Sequence, residues 1–191
     1  NEKAPYAQDG YCHSYRLGSA VSYDLNGDGV EENIQVSLYN EYYSRISING
    51  IVNVSDTSLA EPTGYFTIIN IHGTGNELLI GISEYGPSAD YATYLYAFNG
   101  NQIIEVGMFD DILGETEYYP GNAKCNGDGT ISAHTRMDVL GTWEAEALYA
   151  YENDTLMNIT EYYRYVGYGE NVNEWEATTK YGIDMYEGAD R

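Results

Sequence analysis

The chain has 191 residues, with 30 Asp plus Glu against 8 Lys plus Arg and a formal net charge of −22. Such a surface repels phosphate backbones and anionic lipid headgroups, which argues against nucleic acid and membrane surfaces as partners and leaves cations attractive. No apolar run approaches the roughly 20 residues of a membrane-spanning helix, whereas 43% hydrophobic and 14% aromatic residues supply enough apolar surface for one folded domain over 1–191.

Short alternating or β-branched stretches recur along the chain, divided by Gly, Asn and Asp clusters, and no long segment has a 3.6-residue apolar period. That pattern predicts antiparallel strands. In chain order they are Ala20–Tyr23, Ile34–Tyr39, Ser44–Ile48, Phe66–Ile69, Leu78–Ser83, Ala92–Phe98, Ile103–Phe109, Thr130–Arg136, Glu144–Tyr151 and Thr155–Tyr162. Three hairpins align with one another: SRISINGIVNV (44–54), TYLYAFNGNQIIEVG (93–107) and EALYAYENDTLMNI (146–159). Asn49-Gly50 and Asn99-Gly100 suit a type I′ turn, whose twist matches that of the flanking strands. Upstream of the hairpins lies a second shared unit of strand, Gly-punctuated loop and strand, in VSYDLNGDGVEENIQVSLY (21–39) and TIINIHGTGNELLIGIS (67–83), with a third copy around KCNGDGTI in 121–136. The repeats therefore span about 17–54, 66–110 and 121–163. Four strands per repeat of about 40–50 residues predict an all-β, antiparallel, β-propeller-like fold of three to four repeats, with a β-sandwich as the alternative. Residues 1–16 and 164–191 would complete a further blade.

The most specific local signal is Asp24-Leu25-Asn26-Gly27-Asp28-Gly29-Val30-Glu31-Glu32. Side-chain oxygens at positions 1, 3, 5 and 9 and Gly at position 6 wrap a short loop around one hard cation, and the position 7 carbonyl, Val30, adds another oxygen. Asp24, Asp28 and Glu32 would repel one another without a cation. Mixed side-chain and backbone oxygens favour Ca²⁺ over Mg²⁺, which prefers a tight octahedron and keeps its water. The loop is not an EF-hand, because Gln35 stands at position 12 and strands flank it. A metal-free turn rich in Asn, Asp and Gly is the other reading. The equivalent loops are degenerate. Asn70, His72 and Thr74 with Glu77 lack the charge for Ca²⁺, and Lys124 at position 1 of the third loop opposes a cation, so a single site is expected.

LGSAVSYDLNGDGVEENIQVSLY (17–39) resembles the FG-GAP, or VCBS-type, repeat of integrin-α-like β-propellers and of many secreted bacterial proteins. Gly18-Ser19-Ala20 supplies the Gly-small-small lead-in, and Asp24–Glu32 the D-x-[DN]-x-DG-x-x-[DE] loop. The resemblance implies a blade whose loop binds calcium through Asp24, Asn26, Asp28, Val30 and Glu32, and it implies no catalytic residue. GISEYGPSADYATYLYAFNG (81–100) is similar in outline to repeats of secreted proteins from Gram-positive bacteria.

Nothing in the chain has the spacing of catalytic machinery. His13, His72 and His134 are scattered, no G-x-S-x-G elbow or Walker glycine pattern is present, and Cys125 and His134 are nine residues apart. Acidic pairs such as Asp110-Asp111 are too numerous to mark a glycosidase. Cys12 and Cys125 could form one disulfide in an oxidising compartment or stand as two thiols. The chain begins at Asn1 without an initiator Met, as a mature secreted chain would. Twenty-two Tyr, clustered at Tyr42-Tyr43, Tyr91, Tyr94, Tyr96, Tyr118-Tyr119, Tyr162-Tyr163, Tyr165 and Tyr168, offer rings for stacking on sugars or anchoring proteins, or are strand residues with packed bodies and wet hydroxyls. The expected function is a secreted, extracellular calcium-binding module that adheres to a protein or glycan. A carbohydrate-active enzyme or its accessory module, and a structural module of a larger assembly, are the alternatives.

Overall fold

The computed structural model describes residues 10–87, 90–118, 121–137 and 143–166. It is all-β, with antiparallel pairing throughout and no α-helix among the described residues. The first sheet runs β2 (Ala20–Tyr23), β3 (Glu32–Tyr39), β4 (Tyr43–Ile48), β5 (Ile51–Ser58). The middle sheet runs β6 (Pro62–Ile69), β7 (Leu79–Glu84), β8 (Ala92–Phe98), β9 (Ile103–Asp110), with β1 (Cys12–Arg16) added along β6. The third sheet runs β10 (Lys124–Cys125), β11 (Thr130–Met137), β12 (Trp143–Glu152), β13 (Thr155–Asn158), and β14 (Arg164–Tyr165) pairs back onto β12. Each sheet thus contains one four-stranded meander, with a Gly-punctuated loop between its first and second strands. Both a propeller-like and a sandwich arrangement have this strand order, and no sheet closes into a barrel. Of the terminal stretches expected to form a further repeat, 12–16 pairs with β6 and 164–165 with β12. Residues 1–9 and 167–191 lie outside the described residues.

The layering follows from side-chain periodicity. On β3, Ile34 and Val36 are buried while Asn33 and Gln35 are exposed, the alternation of a strand with one wet face. All six residues of β7 are buried, because the middle sheet packs on both sides. One face carries Phe66, Ile68, Ile80, Ile82, Tyr96 and Phe98 against Val21, Ile34, Val36, Ile46 and Ile48 of the first sheet. The opposite face carries Ile69, Leu79, Leu95, Ala97 and Phe109 against Ile131, Ala133, Ala147, Tyr149 and Tyr151 of the third.

Three turns distinguish the hairpins. Asn49 and Gly50 both take positive φ, 49° and 86°, as a type I′ turn requires, and Asn153 and Asp154 do the same at 52° and 56°. Asn99-Gly100 does not, since only Gly100 has positive φ. There β8 ends at Phe98 and β9 starts at Ile103, and the longer turn is closed by Asn99 Oδ1 accepting from Asn101 N at 3.1 Å and Gln102 N at 3.0 Å. The strand expected over Thr155–Tyr162 stops at Asn158, whose Oδ1 accepts from Thr160 N at 2.9 Å and turns the chain away.

One buried carboxylate joins the second and third sheets. Asp111 Oδ1 accepts from Ile112 N at 2.8 Å and Asn122 N at 3.1 Å, and Oδ2 accepts from His134 N on β11 at 2.8 Å. Burial raises its pKa above the ordinary carboxylate value, against the pull of those three backbone N–H groups in the other direction.

Candidate metal centre

The Asp24–Glu32 loop leaves β2 and re-enters the first sheet at β3, so its ends are fixed by the Tyr23–Glu32 pair. Leu25 anchors it, with its side chain buried in the core between the first and middle sheets. The three odd positions before Val30 curl inward. Asp24 Oδ1 and Oδ2 accept from Asp28 N at 3.1 Å and Gly29 N at 2.8 Å. Asn26 Oδ1 accepts from Asp28 N at 3.1 Å, and Asp28 Oδ1 from Val30 N at 2.8 Å. Asn26 Nδ2 also donates to Asp28 Oδ2 at 3.1 Å. Glu32 is buried at the foot of the loop, where Oε2 accepts from Leu25 N at 2.9 Å. All five expected ligand residues therefore belong to one loop, with Asp24 and Asn26 half-buried, Asp28 exposed, Glu32 buried beneath, and Val30 with 62% of its surface exposed. Among the described residues, no group of three or more His, Cys, Asp or Glu side chains converges as a metal cluster. A cation at this loop would thus depend on the Asn26 amide and backbone oxygen as well as on carboxylates, which is donor chemistry that suits Ca²⁺ rather than a transition metal.

The other two loops repeat the backbone without the charge. Asn70 Oδ1 accepts from Gly75 N at 2.9 Å, the counterpart of Asp24 on Gly29. Asp128 Oδ1 accepts from Thr130 N at 3.0 Å and Thr130 Oγ1 at 2.6 Å. Those bonds lower its pKa and close a hairpin turn between β10 and β11, sealed by Asn126 N donating to Thr130 O at 3.0 Å. The three loops meet. Leu78 N, at the exit of the second, donates to Leu25 O of the first at 2.9 Å, and Gly129 N of the third donates to Ile71 O of the second at 2.9 Å. Their fourth positions, Gly27, Gly73 and Gly127, share left-handed φ values of 74°, 69° and 75°.

Around the second loop, side chains missed in sequence lock it to the third sheet. Tyr151 of β12 donates its hydroxyl to Glu77 Oε1 at 2.7 Å, and Asp154 Oδ1 lies 3.1 Å from the same hydroxyl. His72 Nε2 is 3.5 Å from Glu77 Oε2, and its ring packs on that of Tyr151. Glu77 and Tyr151 are 74 positions apart, so no local motif announces them. Removing the hydroxyl with Tyr151→Phe is expected to cost about 1–3 kcal/mol, since two carboxylates lose a part-buried partner, and urea unfolding measures it. Burial and these carboxylates raise the Tyr151 pKa, and burial raises Tyr149 to about 12. The folded chain therefore keeps these protons where the unfolded chain, with an ordinary value near 10, releases them. Stability present below pH ~10 should fall as pH rises above it, less steeply in Tyr151→Phe.

The structure separates Cys125 from His134. Cys125 pairs with Ile131 and so shares its face of the third sheet, while His134, three residues further along β11, points to the opposite face. The two cannot act as a nucleophile and base. The tyrosines also divide. Tyr96 is fully buried, whereas Tyr42, Tyr118, Tyr162 and Tyr163 are exposed; Tyr119 and Tyr168 lie outside the described residues.

Comparison of the chain with protein-family models, with curated proteins and with solved structures finds no match to any of them.

Proposed function

We propose that the chain is a secreted calcium-binding β-domain of the FG-GAP or VCBS type, acting as a module that adheres to an extracellular protein or glycan. The observation that carries this reading is the inward turn of Asp24, Asn26 and Asp28 onto the backbone N–H groups of their own loop. That geometry gathers carboxylate and amide oxygens above a fixed strand junction, at a surface whose net charge of −22 favours cations. Calcium there would stiffen the β2–β3 junction and, through the Leu25–Leu78 contact, its neighbour. Exposed Tyr42, Tyr118 and Tyr162 supply flat rings for a partner. No catalytic residue is assigned.

A thermal melt in excess chelator, in millimolar Ca²⁺ and in millimolar Mg²⁺ tests the ion. Extracellular sites with dissociation constants near 10⁻⁴ M should give an upward shift of about 3–6 °C with Ca²⁺ alone. Asp24→Ala combined with Asp28→Ala should abolish the shift, while Asp128→Ala should retain it. Loss of the shift in Asp128→Ala alone would move the site to the third loop, and no shift in a wild-type chain that elemental analysis finds metal-free would remove calcium from the reading. A glycan array run beside a hydrolysis assay tests adhesion: retention without turnover is expected, and turnover would replace adhesion by carbohydrate-active chemistry.

A further inference from the structure

Cys12 and Cys125 belong to different sheets, yet both are buried in the one core between the middle and third sheets. A shared neighbour brings them together. Cys12 on β1 stands opposite Ile69 on β6, and the next residue, Asn70, donates its N–H to Tyr11 O at 2.8 Å. The carbonyl of that same Asn70 lies 3.7 Å from Cys125 Sγ. The backbone of one residue, Asn70, thus touches the residue before Cys12 through its N–H and the Cys125 thiol through its carbonyl. Alternation along the strands aims both side chains the same way: Cys12 shares the face of Ile69, and Cys125 that of Ile131, and these two residues pack in the same cluster. The chain between the cysteines is about 110 residues long, so a bond here would close a large loop, the kind that restricts the unfolded chain most.

We propose that Cys12 and Cys125 form a disulfide that staples β1 to the third sheet. The reaction is thiol–disulfide exchange with a low-molecular-weight disulfide. One cysteine thiolate attacks the reagent, forms a mixed disulfide and releases one thiolate. The second cysteine thiolate then displaces the remaining half. Two protein thiols are oxidised to one disulfide, the reagent is reduced to two thiols, and no other electron carrier is needed. Separation of β1 from β6, its one pairing partner among the described residues, would open the core to the reagent, and the same chemistry can precede docking during folding.

The test uses the full chain, refolded in oxidised and reduced glutathione, then denatured and alkylated with iodoacetamide before intact-mass measurement. The expected result is a monomer that takes up no alkyl group, against two after dithiothreitol, and a melting temperature about 5–10 °C lower when reduced. Cys12→Ser combined with Cys125→Ser should melt at one temperature in both buffers, and each single variant should carry one glutathione adduct. Two alkylations after glutathione equilibration, a glutathione adduct on each wild-type cysteine, or a covalent dimer would each overturn the proposal.

Discussion

Replacing Gly27 by alanine is expected to destabilise the fold by about 3–5 kcal/mol, a large share of the stability of a domain this size. Two costs add. Gly27 has φ +74°, where an L side chain is strained by about 1–2 kcal/mol. A Cβ there would also lie 3.0 Å from the carbonyl carbon of Asn76 in the second loop and closer still to its oxygen. That neighbour is backbone, held by the Leu78–Leu25 bond two residues on, so it cannot rotate aside. Gly29 provides the control. Its φ is +87° and nothing lies within 4 Å of its Cβ position, so Gly29→Ala should show the strain alone, about 1–2 kcal/mol. Guanidinium unfolding of the two variants separates the terms. Equal losses would mean that the first and second loops do not touch.

Asp111→Ala should cost about 3–5 kcal/mol, again by guanidinium unfolding. The substitution removes the acceptor for three backbone N–H groups, those of Ile112, Asn122 and His134, and unsatisfied buried donors cost about 1–3 kcal/mol each. It also leaves a non-glycine residue at φ 98° without a side chain to hold it there. Asp111→Gly should recover about 1 kcal/mol of that loss, because glycine accepts this φ. The pH dependence has a definite sign. With the folded pKa above the unfolded value, the native state holds the Asp111 proton more tightly, so this group favours folding at low pH and loses that contribution as pH rises from the ordinary carboxylate value through the raised one. The ionised latch is therefore held against its own desolvation by its hydrogen bonds, and Asp111→Ala should flatten that part of the stability–pH curve.

Much of the strand framework was legible because it is written in short-range signals. Ala20–Tyr23 and Ala92–Phe98 have the predicted bounds, since a period of two bounded by Gly and Asn clusters needs no tertiary partner to be read. The type I′ turn at Asn49-Gly50 was equally local. At Asn99-Gly100 the same dipeptide behaved differently, because strand register, set by packing across the sheet, placed four residues in the turn and let the Asn99 side chain close it. β1 escaped notice for a related reason. CHSYR is short and mixed, and it is a strand because β6 offers a free edge about fifty positions later.

Of the candidate site, the inward-facing residues Asp24, Asn26 and Asp28 were readable from spacing alone, because their hydrogen bonds reach no further than five positions. The burial of Glu32 was not, since it depends on the core that Leu25 enters. Nor were the Glu77–Tyr151 bond, the Asp111 latch or the convergence of three loops on one another. The sequence by itself determined the all-β class, the strand pairs of the hairpins with the turn at Asn49-Gly50, and an acidic loop with oxygen donors at alternate positions. Only the tertiary structure decided which sheet is central, which carboxylates are buried and that Cys12 and Cys125 lie in one core. The physical reason is range: backbone twist, turn chemistry and side-chain alternation act over a few residues, whereas burial and charge environment are properties of surfaces joined from distant parts of the chain.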